Sequence, residues 1–584
     1  MAERRPSGIN SRRPSVIPYL AGIEKPVLPS IPSQCDVLIC GTGLVESILA
    51  AALAWQGSRV LHVDANPYYG DTCATLTIEQ IKAWCASVND GSSGFQGFSK
   101  AMLHIPYPHR LNSRDYGIDL SPRVLFAKSD LLSLLINSRV YRYLEFQSLS
   151  NFHTFENDTF GKMLSTKEEI FTDQSMTLAS KRQLMKMMKF VLEYDLPENK
   201  EELETHMHEP FTDYVSNRFH LSSQQINELC YALGLAPKPD ISTIQGLSRV
   251  RRYLVSFNIY GNFPTLYSKY GGPGEISQGF CRSAAVAGAT YKLDCALKSF
   301  DPDTKTATFE DGSKVKISEK VVCSPSQAPE GSRNVPERNY EITRLITIVE
   351  KSCKEWFAEG ESAALVVFPP KSLPSNNQFP VQSIIMGSGT GCCPKDQCVW
   401  YLSTIEQGER GRRDLESALK KMEESILRES EDGGFDVELT ESDVAVQANG
   451  GISVINSVKL GKSFKGFVPK EKLTYLLKLM FTQYTSVAPF GVVSNAVFEK
   501  AEENDHPGNG PDLKVIYSSM PSTEISYDGV VTEARLLYSK IVGSDDDFFD
   551  VDFEDDEDYE HGPSSESAIV DDAEEFQPEM AFEL

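Results

Sequence analysis

The sequence has no hydrophobic run approaching the roughly 18 residues that a membrane span needs. It also contains no H-E-x-x-H, no G-x-S-x-G and no paired Cys/His spacing. The first absence argues against a transmembrane chain, and the others remove the usual signatures of zinc hydrolases and serine hydrolases. The opening MAERRPSGINSRRPSVIP is basic and Pro/Ser-rich and has no apolar stretch, so it is not expected to act as a secretory signal. The 12 cysteines are therefore read as reduced thiols of a cytoplasmic protein. Cys392, Cys393 and Cys398 form the one tight group; they lack a second pair, and no metal is expected there. Positive charge is missing from the end of the chain, where Asp545–Leu584 holds 10 Asp and 8 Glu with no Lys or Arg. That segment carries most of the net charge of −25 and leaves a mildly acidic body. It is expected to be a disordered, solvated tail, and nucleic acid is not an expected partner.

What is present begins with a β–α–β pattern. CDVLIC (Cys35–Cys40) reads as a buried strand, GTGLVES (Gly41–Ser47) as a glycine turn opening a helix, and RVLHVD as a second strand ending at Asp64. This is the context of a dinucleotide fingerprint, G-x-G-x-x-G, with an acid about twenty residues on for the ribose. The third glycine position, however, holds Glu46. A carboxylate in the first helical turn suits the helix dipole and repels the diphosphate that would use the same field. Neither flavin nor NAD is expected to bind.

NPYYGD (Asn66–Asp71) follows as an aromatic loop, and long helical runs such as LASKRQLMKMMKFVLEY occupy about residues 157–260. Beyond them lie YGGPGEISQGFCRSAAVAGATYKL, a glycine turn leading into a helix and strand, and ATFEDGSKVKI, a hairpin turning at Asp311-Gly312. GSGTG at Gly387–Gly391 precedes Cys-Cys-Pro rather than a helix and reads as a loop. RRDLESALKKMEESILR predicts a helix; KVIYSS and DGVVTEARLLYSKIV predict a late strand and helix. The layout suggests a nucleotide-type α/β sheet, interrupted by helices and completed by distant segments.

GTGLVESILAAALAWQGSRVLHVDANPYYG and YGGPGEISQGFCRSAAVAGATYKL resemble the two conserved regions of the Rab GDP-dissociation inhibitor and Rab escort protein superfamily. The likeness continues through LMKMMKFVLEY and, more faintly, CCPKDQCVWYLST and YDGVVTEARLLYSKI, covering most of residues 35–543. It implies a flavin-monooxygenase-like, nucleotide-binding-type fold without cofactor, plus a smaller all-helical second domain and disordered termini. The expected parts are a basic N-terminus (1–34) and a Rossmann-like core in three pieces (35–156, 261–345 and 485–543). A helical domain (157–260), a mixed α/β continuation (346–484) and the acidic tail (544–584) complete the set. The extra length and the CCPKDQCVWYLST region favour the escort branch over the inhibitor branch.

The resemblance implies a protein without catalytic residues of its own. It would bind GDP-bound Rab GTPases and present them to the Rab geranylgeranyltransferase α/β heterodimer. It would then deliver the geranylgeranylated product during transient peripheral membrane contact. A recycling inhibitor of the same superfamily and a flavin- or NAD-dependent oxidoreductase on the same fold are the alternatives. The implied Rab-binding residues are Tyr69, Glu275, Gln278, Arg282 and Thr290. Aromatic and guanidinium anchors are frequent interface hot spots, although a turn tyrosine and a solvated helix face would look the same. Lys292 stands at the edge of this set, where an apolar residue is expected.

Met163, Met176, Met185, Met187, Met188 and Met207 make the helical region methionine-rich. Shape-adaptable side chains suit an isoprenoid, and Met185 and Met188 are the candidate prenyl contacts; a plain methionine-filled core fits equally. Phe190 is the candidate transferase contact or, alternatively, a core aromatic. Asp546-Asp547-Phe548-Phe549-Asp550 spells D-D-x-x-D, a metal–diphosphate cluster of isoprenoid synthases. Its place among tail acids argues against that use.

Overall fold

The computed structural model describes residues 31–90, 97–163, 167–173, 176–329, 332, 335–431, 444–446, 452–454, 459–460, 472–490, 515–519 and 522–551. The RRPS segments and the acidic chain beyond Val551 lie outside the described residues.

Strand β1 (Gln34–Cys40) runs into helix α1 (Leu44–Trp55) and returns as β2 (Val60–Val63), as the hydrophobic pattern predicts. Val37 to Cys40 are buried because a central parallel strand is covered on both faces. Gly41 makes the strand-to-helix turn at φ +98°, and a Cβ there would lie 2.7 Å from Ser324. Helices α2 (Leu178–Glu193) and α3 (Thr243–Leu254) belong to the helical region. The chain then enters α4 (Gly272–Val286), β3 (Thr290–Lys292), β4 (Lys314–Cys323), β5 (Val515–Tyr517) and α5 (Val530–Val542).

A seven-stranded sheet has the order β3–β2–β1–β4, extended by the strands Thr306–Phe309 and Leu297–Asp301, with β5 parallel to the end of β4. The hairpin at Asp311-Gly312 joins Thr306–Phe309 to β4, as expected. Helices α1, α4 and α5 pack together over this sheet around Ile48, Leu49, Phe280, Ala534 and Leu537. Sequence-distant segments thus complete one nucleotide-type α/β unit.

A second sheet of nine strands takes in Ala363–Phe368, Val381–Gly387, Cys398–Thr404 and Tyr475–Thr485. Tyr340–Val349 lies in it between Cys398–Thr404 and Tyr475–Thr485. The hairpin Phe152–Glu156 and Thr159–Lys162 also belongs to it, so strand structure runs past the boundary expected at residue 157. The helical region docks through arginines onto the loop before α5. Arg249 pairs with Glu524 at 2.5 Å and Arg252 pairs with Asp528. Buried Arg123 donates to the carbonyls of Glu524 and Ser526, each at 2.8 Å, and of Ser522 at 3.0 Å. These carbonyls have no regular secondary-structure partner, and the guanidinium satisfies them in the interior.

The ordered body extends further than residue 543. A turn places Phe548 and Phe549 in the core of α1, α4 and α5, only 5% and 7% exposed. Phe549 meets Phe280 at a ring-centroid separation of 6.1 Å and Phe548 meets Tyr538 at 5.4 Å. Gln56 Nε2 donates to the Asp547 carbonyl at 2.7 Å. The two phenylalanines between the acids therefore make D-D-x-x-D a hydrophobic anchor. The acids flank an anchored turn instead of lining a rigid helical cavity.

Candidate functional site

The glycine turn after β1 is filled by carboxylates belonging to the chain itself. Glu46 is buried, and Ser518 Oγ donates a short hydrogen bond to it. Its other oxygen lies where a Cβ on Gly43 would be, 2.5 Å from that position. The second fingerprint glycine thus leaves space for a carboxylate. Burial, with Asp71 and Glu533 nearby, pushes the Glu46 pKa up to about 8. The cavity left here, lined by Gly43, Glu46, Cys73, Arg123 and Ser324, is about 20 Å³, room for roughly one water.

Asp64, at the position of a ribose-binding acid, is also engaged internally. It accepts from Thr42 N at 2.7 Å, Thr42 Oγ1 at 2.6 Å, Asn66 N at 2.8 Å and Gln327 Nε2 at 3.0 Å. Burial and Asp71 raise its pKa to about 7. Asp71 accepts from Ser324 and Ser326 hydroxyls, each at 2.6 Å. A dinucleotide does not fit these residues: its pyrophosphate would meet Glu46, and its ribose acid already has donors on both oxygens.

The filled turn positions Tyr69. Asn66 and Gly70, at either end of the aromatic loop, are tied to it, the first through Asp64 and the second by Gly70 N donating to Thr42 Oγ1 at 2.9 Å. His62 Nε2 lies 2.6 Å from the Gly41 carbonyl and so carries the proton, leaving Nδ1 to accept from Tyr291 OH at 3.2 Å. The Tyr291 ring then braces Tyr69 edge-on at 6.1 Å. Tyr69 remains half-buried, with one side available.

On α4, Ile276, Phe280 and Ala284 face the core, while Glu275, Gln278 and Arg282 at i, i+3 and i+7 form the opposite face. Gln278 and Arg282 are exposed and Glu275 is half-buried. Buried Asp119 holds the start of this helix, accepting from Gly272 N at 3.0 Å and Thr75 Oγ1 at 2.5 Å, and from Tyr267 OH. Burial, and then Asp119, raises the Glu275 pKa. The Arg282 guanidinium stacks over Tyr143 at 4.8 Å. Thr290 is exposed on β3, the sheet edge beside β2. Lys292 pairs with Asp311 at 2.6 Å. Helix α4 and β3 thus carry four of the expected residues, and the neighbouring loop carries the fifth.

In the helical region, Met188 is buried on α2 and Met185 is half-buried against the same core. Phe190 is 6% exposed, with Phe219 at 5.5 Å, Tyr214 at 6.2 Å and the Arg218 guanidinium 4.3 Å from its ring centroid. Its ring is a core aromatic under an arginine, so the surface above it belongs to Arg218. Sequence reasoning missed Arg218, Tyr143, Tyr291 and Asp119. The Tyr-Arg-Tyr run at Tyr141–Tyr143 was the one available signal, because its spacing exposes rings to either side of a turn.

Residues 31–431 match the family described as GDP dissociation inhibitor. The chain belongs to that family. It is 54% identical to the Rab proteins geranylgeranyltransferase component A of Saccharomyces cerevisiae, covering 98% of this chain and 96% of that one. It is 48% identical to the protein of the same name from Candida albicans, covering 90% and 87%. Among solved structures, Rab GDI from Plasmodium falciparum superimposes with a TM-score of 0.60 at 17% identity, covering 88% of this chain and 99% of the other; this shows the fold alone. In this member of the family, the α4 face offers acidic, amide and cationic groups, and Tyr69 offers an aromatic ring beside Tyr291 of β3. Among the described residues no helix is long and apolar enough to cross a membrane, and no His/Cys/Asp/Glu grouping is arranged for a metal.

Proposed function

We propose that this chain is a Rab escort protein, the accessory component of a Rab geranylgeranyltransferase. It binds GDP-bound Rab through Tyr69, Glu275, Gln278, Arg282 and Thr290, presents the Rab C-terminal cysteines to the transferase α/β heterodimer, and carries the lipidated product to membranes through transient contact. The observation that carries this reading is likeness to component A over nearly the whole chain, including segments outside the family match. The chain contributes positioning and no catalytic group. The carboxylates filling the glycine turn support this, since the fold's usual route to chemistry is a cofactor there. Met185 and Met188 are proposed to meet the prenyl chain after the helices part, each buried CH₂ contributing roughly 0.8 kcal/mol. The transferase is proposed to dock over Phe190 and its Arg218 cover.

The test is reconstituted prenylation with purified chain, transferase heterodimer, Rab and geranylgeranyl diphosphate. Lipid transfer should require the chain; transfer proceeding equally without it would refute the reading. A recycling inhibitor would bind prenylated Rab and fail to support transfer. A flavin absorption band in the purified protein would favour the oxidoreductase.

A further inference from the structure

Helix α2 has a cationic outer face that none of the roles above employs. Its start is fixed, because Thr177 Oγ1 accepts from Ser180 N at 3.2 Å and caps the first turn at Leu178. Leu184, Met187, Met188, Phe190 and Val191 are buried and pin one side of the helix to the core. Arg182, Lys186 and Lys189, at i, i+4 and i+7, therefore line up on the other side, all exposed, over about 10 Å of helix axis. Leu178 stands one turn before Arg182 on that side and is 85% exposed.

This face runs against the charge of the chain. Helix α2 holds four cations, Lys181 among them, and one acid, Glu193, whereas the whole sequence carries a net −25. Lys189 reaches Glu193 at 3.9 Å, a weak surface pair, and Arg182 and Lys186 have no carboxylate partner among the described residues. Like charges one turn apart repel, and an uncovered leucine leaves apolar surface in water. One kind of partner relieves both: an anionic surface with an apolar layer beneath it.

We propose that α2 is the surface through which the chain meets an anionic lipid bilayer, lying along it with Arg182, Lys186 and Lys189 among the headgroup phosphates and Leu178 inserted at the acyl boundary. Half-buried Met185 borders Leu178 and Lys189 around the helix, so the candidate prenyl contact would face the bilayer that receives the lipid. The purpose of the contact rests on the membrane-delivery reading above; the contact itself does not involve Rab. Each cation near an anionic leaflet strengthens binding roughly fivefold, so three give roughly a hundredfold preference over a neutral bilayer, which salt screens away.

The full chain is tested by flotation with vesicles of phosphatidylcholine, alone or with about one-third phosphatidylserine. Wild type should bind the anionic vesicles, bind the neutral ones far less, and dissociate in high salt. Arg182→Glu with Lys186→Glu and Lys189→Glu should lower the partition coefficient at least tenfold, and Leu178→Ala severalfold. Leu178→Trp should add a blue-shifted emission that bromine-labelled lipid quenches, which the four native tryptophans do not show. No binding of wild type to anionic vesicles, or equal partition of the charge-reversed chain, would overturn the proposal; loss of transferase binding alongside equal partition would make the stripe a protein contact instead. Prenylation in solution needs no bilayer. A chain that supports it and ignores vesicles keeps the escort reading and refutes this one, while a chain that binds vesicles through α2 and fails in prenylation does the reverse.

Discussion

Arg282→Ala separates an interface residue from an ornament of the helix surface. In the free protein the guanidinium is exposed and its described contact is the face of Tyr143 at 4.8 Å. An exposed cation–π contact contributes about 0.5–1 kcal/mol, and in a body this large such a loss moves the melting temperature by only about 1–3 °C. A charge-assisted interface group that loses its partner costs on the order of 2 kcal/mol, roughly thirtyfold in affinity. A solvated helix residue changes binding by no more than about 0.5 kcal/mol, roughly twofold. The assay is therefore paired: thermal melting of the variant, and titration of GDP-loaded Rab on the same preparation. Arg282→Lys, which keeps the charge and loses the planar stack, should fall between wild type and alanine. A melt within about 3 °C of wild type and binding weakened at least tenfold is the expected result. Unchanged Rab binding with an unchanged melt would refute the role assigned to Arg282.

Three further outcomes follow from buried groups. The folded protein holds a proton on Glu46 up to about pH 8, whereas an exposed glutamate releases it near 4.5, so wild type should lose stability as pH rises between these values; Glu46→Gln should flatten that slope in denaturant titrations, with Asp64 maintaining part of it. Phe549→Ala should cost about 3 kcal/mol through lost packing on Phe280, while Asp546→Asn with Asp547→Asn should change stability and prenylation little, a contrast that a metal–diphosphate role would reverse. Phe190→Leu should keep the melt near wild type because apolar volume is largely preserved; co-sedimentation with the transferase then tests docking, and retained affinity would shift that role to Arg218.

The order of strands and helices around the glycine turn was legible because it depends on local patterning. A buried apolar strand, two glycines and an alanine-rich helix specify β1–α1–β2 in whatever surroundings they fold. The departure at Glu46 was equally legible, since it is a local substitution at the third glycine position; the charge expected there was not, because burial keeps the proton on Glu46 and a neutral carboxyl fills the phosphate's place. Glu275, Gln278 and Arg282 were singled out by the resemblance, and the helix that forms there puts their i, i+3 and i+7 positions on one face of α4.

Long-range pairing decided the rest. No local signal tells that Ser518, hundreds of residues away, hydrogen-bonds Glu46, or that Arg123 closes the carbonyls before α5, because both contacts exist only once the sheet has been assembled from distant segments. Phe190 was a transferase candidate by resemblance and a core aromatic on the alternative reading, and packing against Tyr214, Phe219 and Arg218 is what buries it. Likewise the run of acids concealed Phe548 and Phe549: composition indicates a solvated tail, whereas two aromatic rings that meet Tyr538 of α5 and Phe280 of α4 anchor its start. Sequence thus determined which elements form and where a side chain replaces a ligand, since those depend on neighbours along the chain; the tertiary structure decided which side chains stay exposed or charged, since burial depends on neighbours in space.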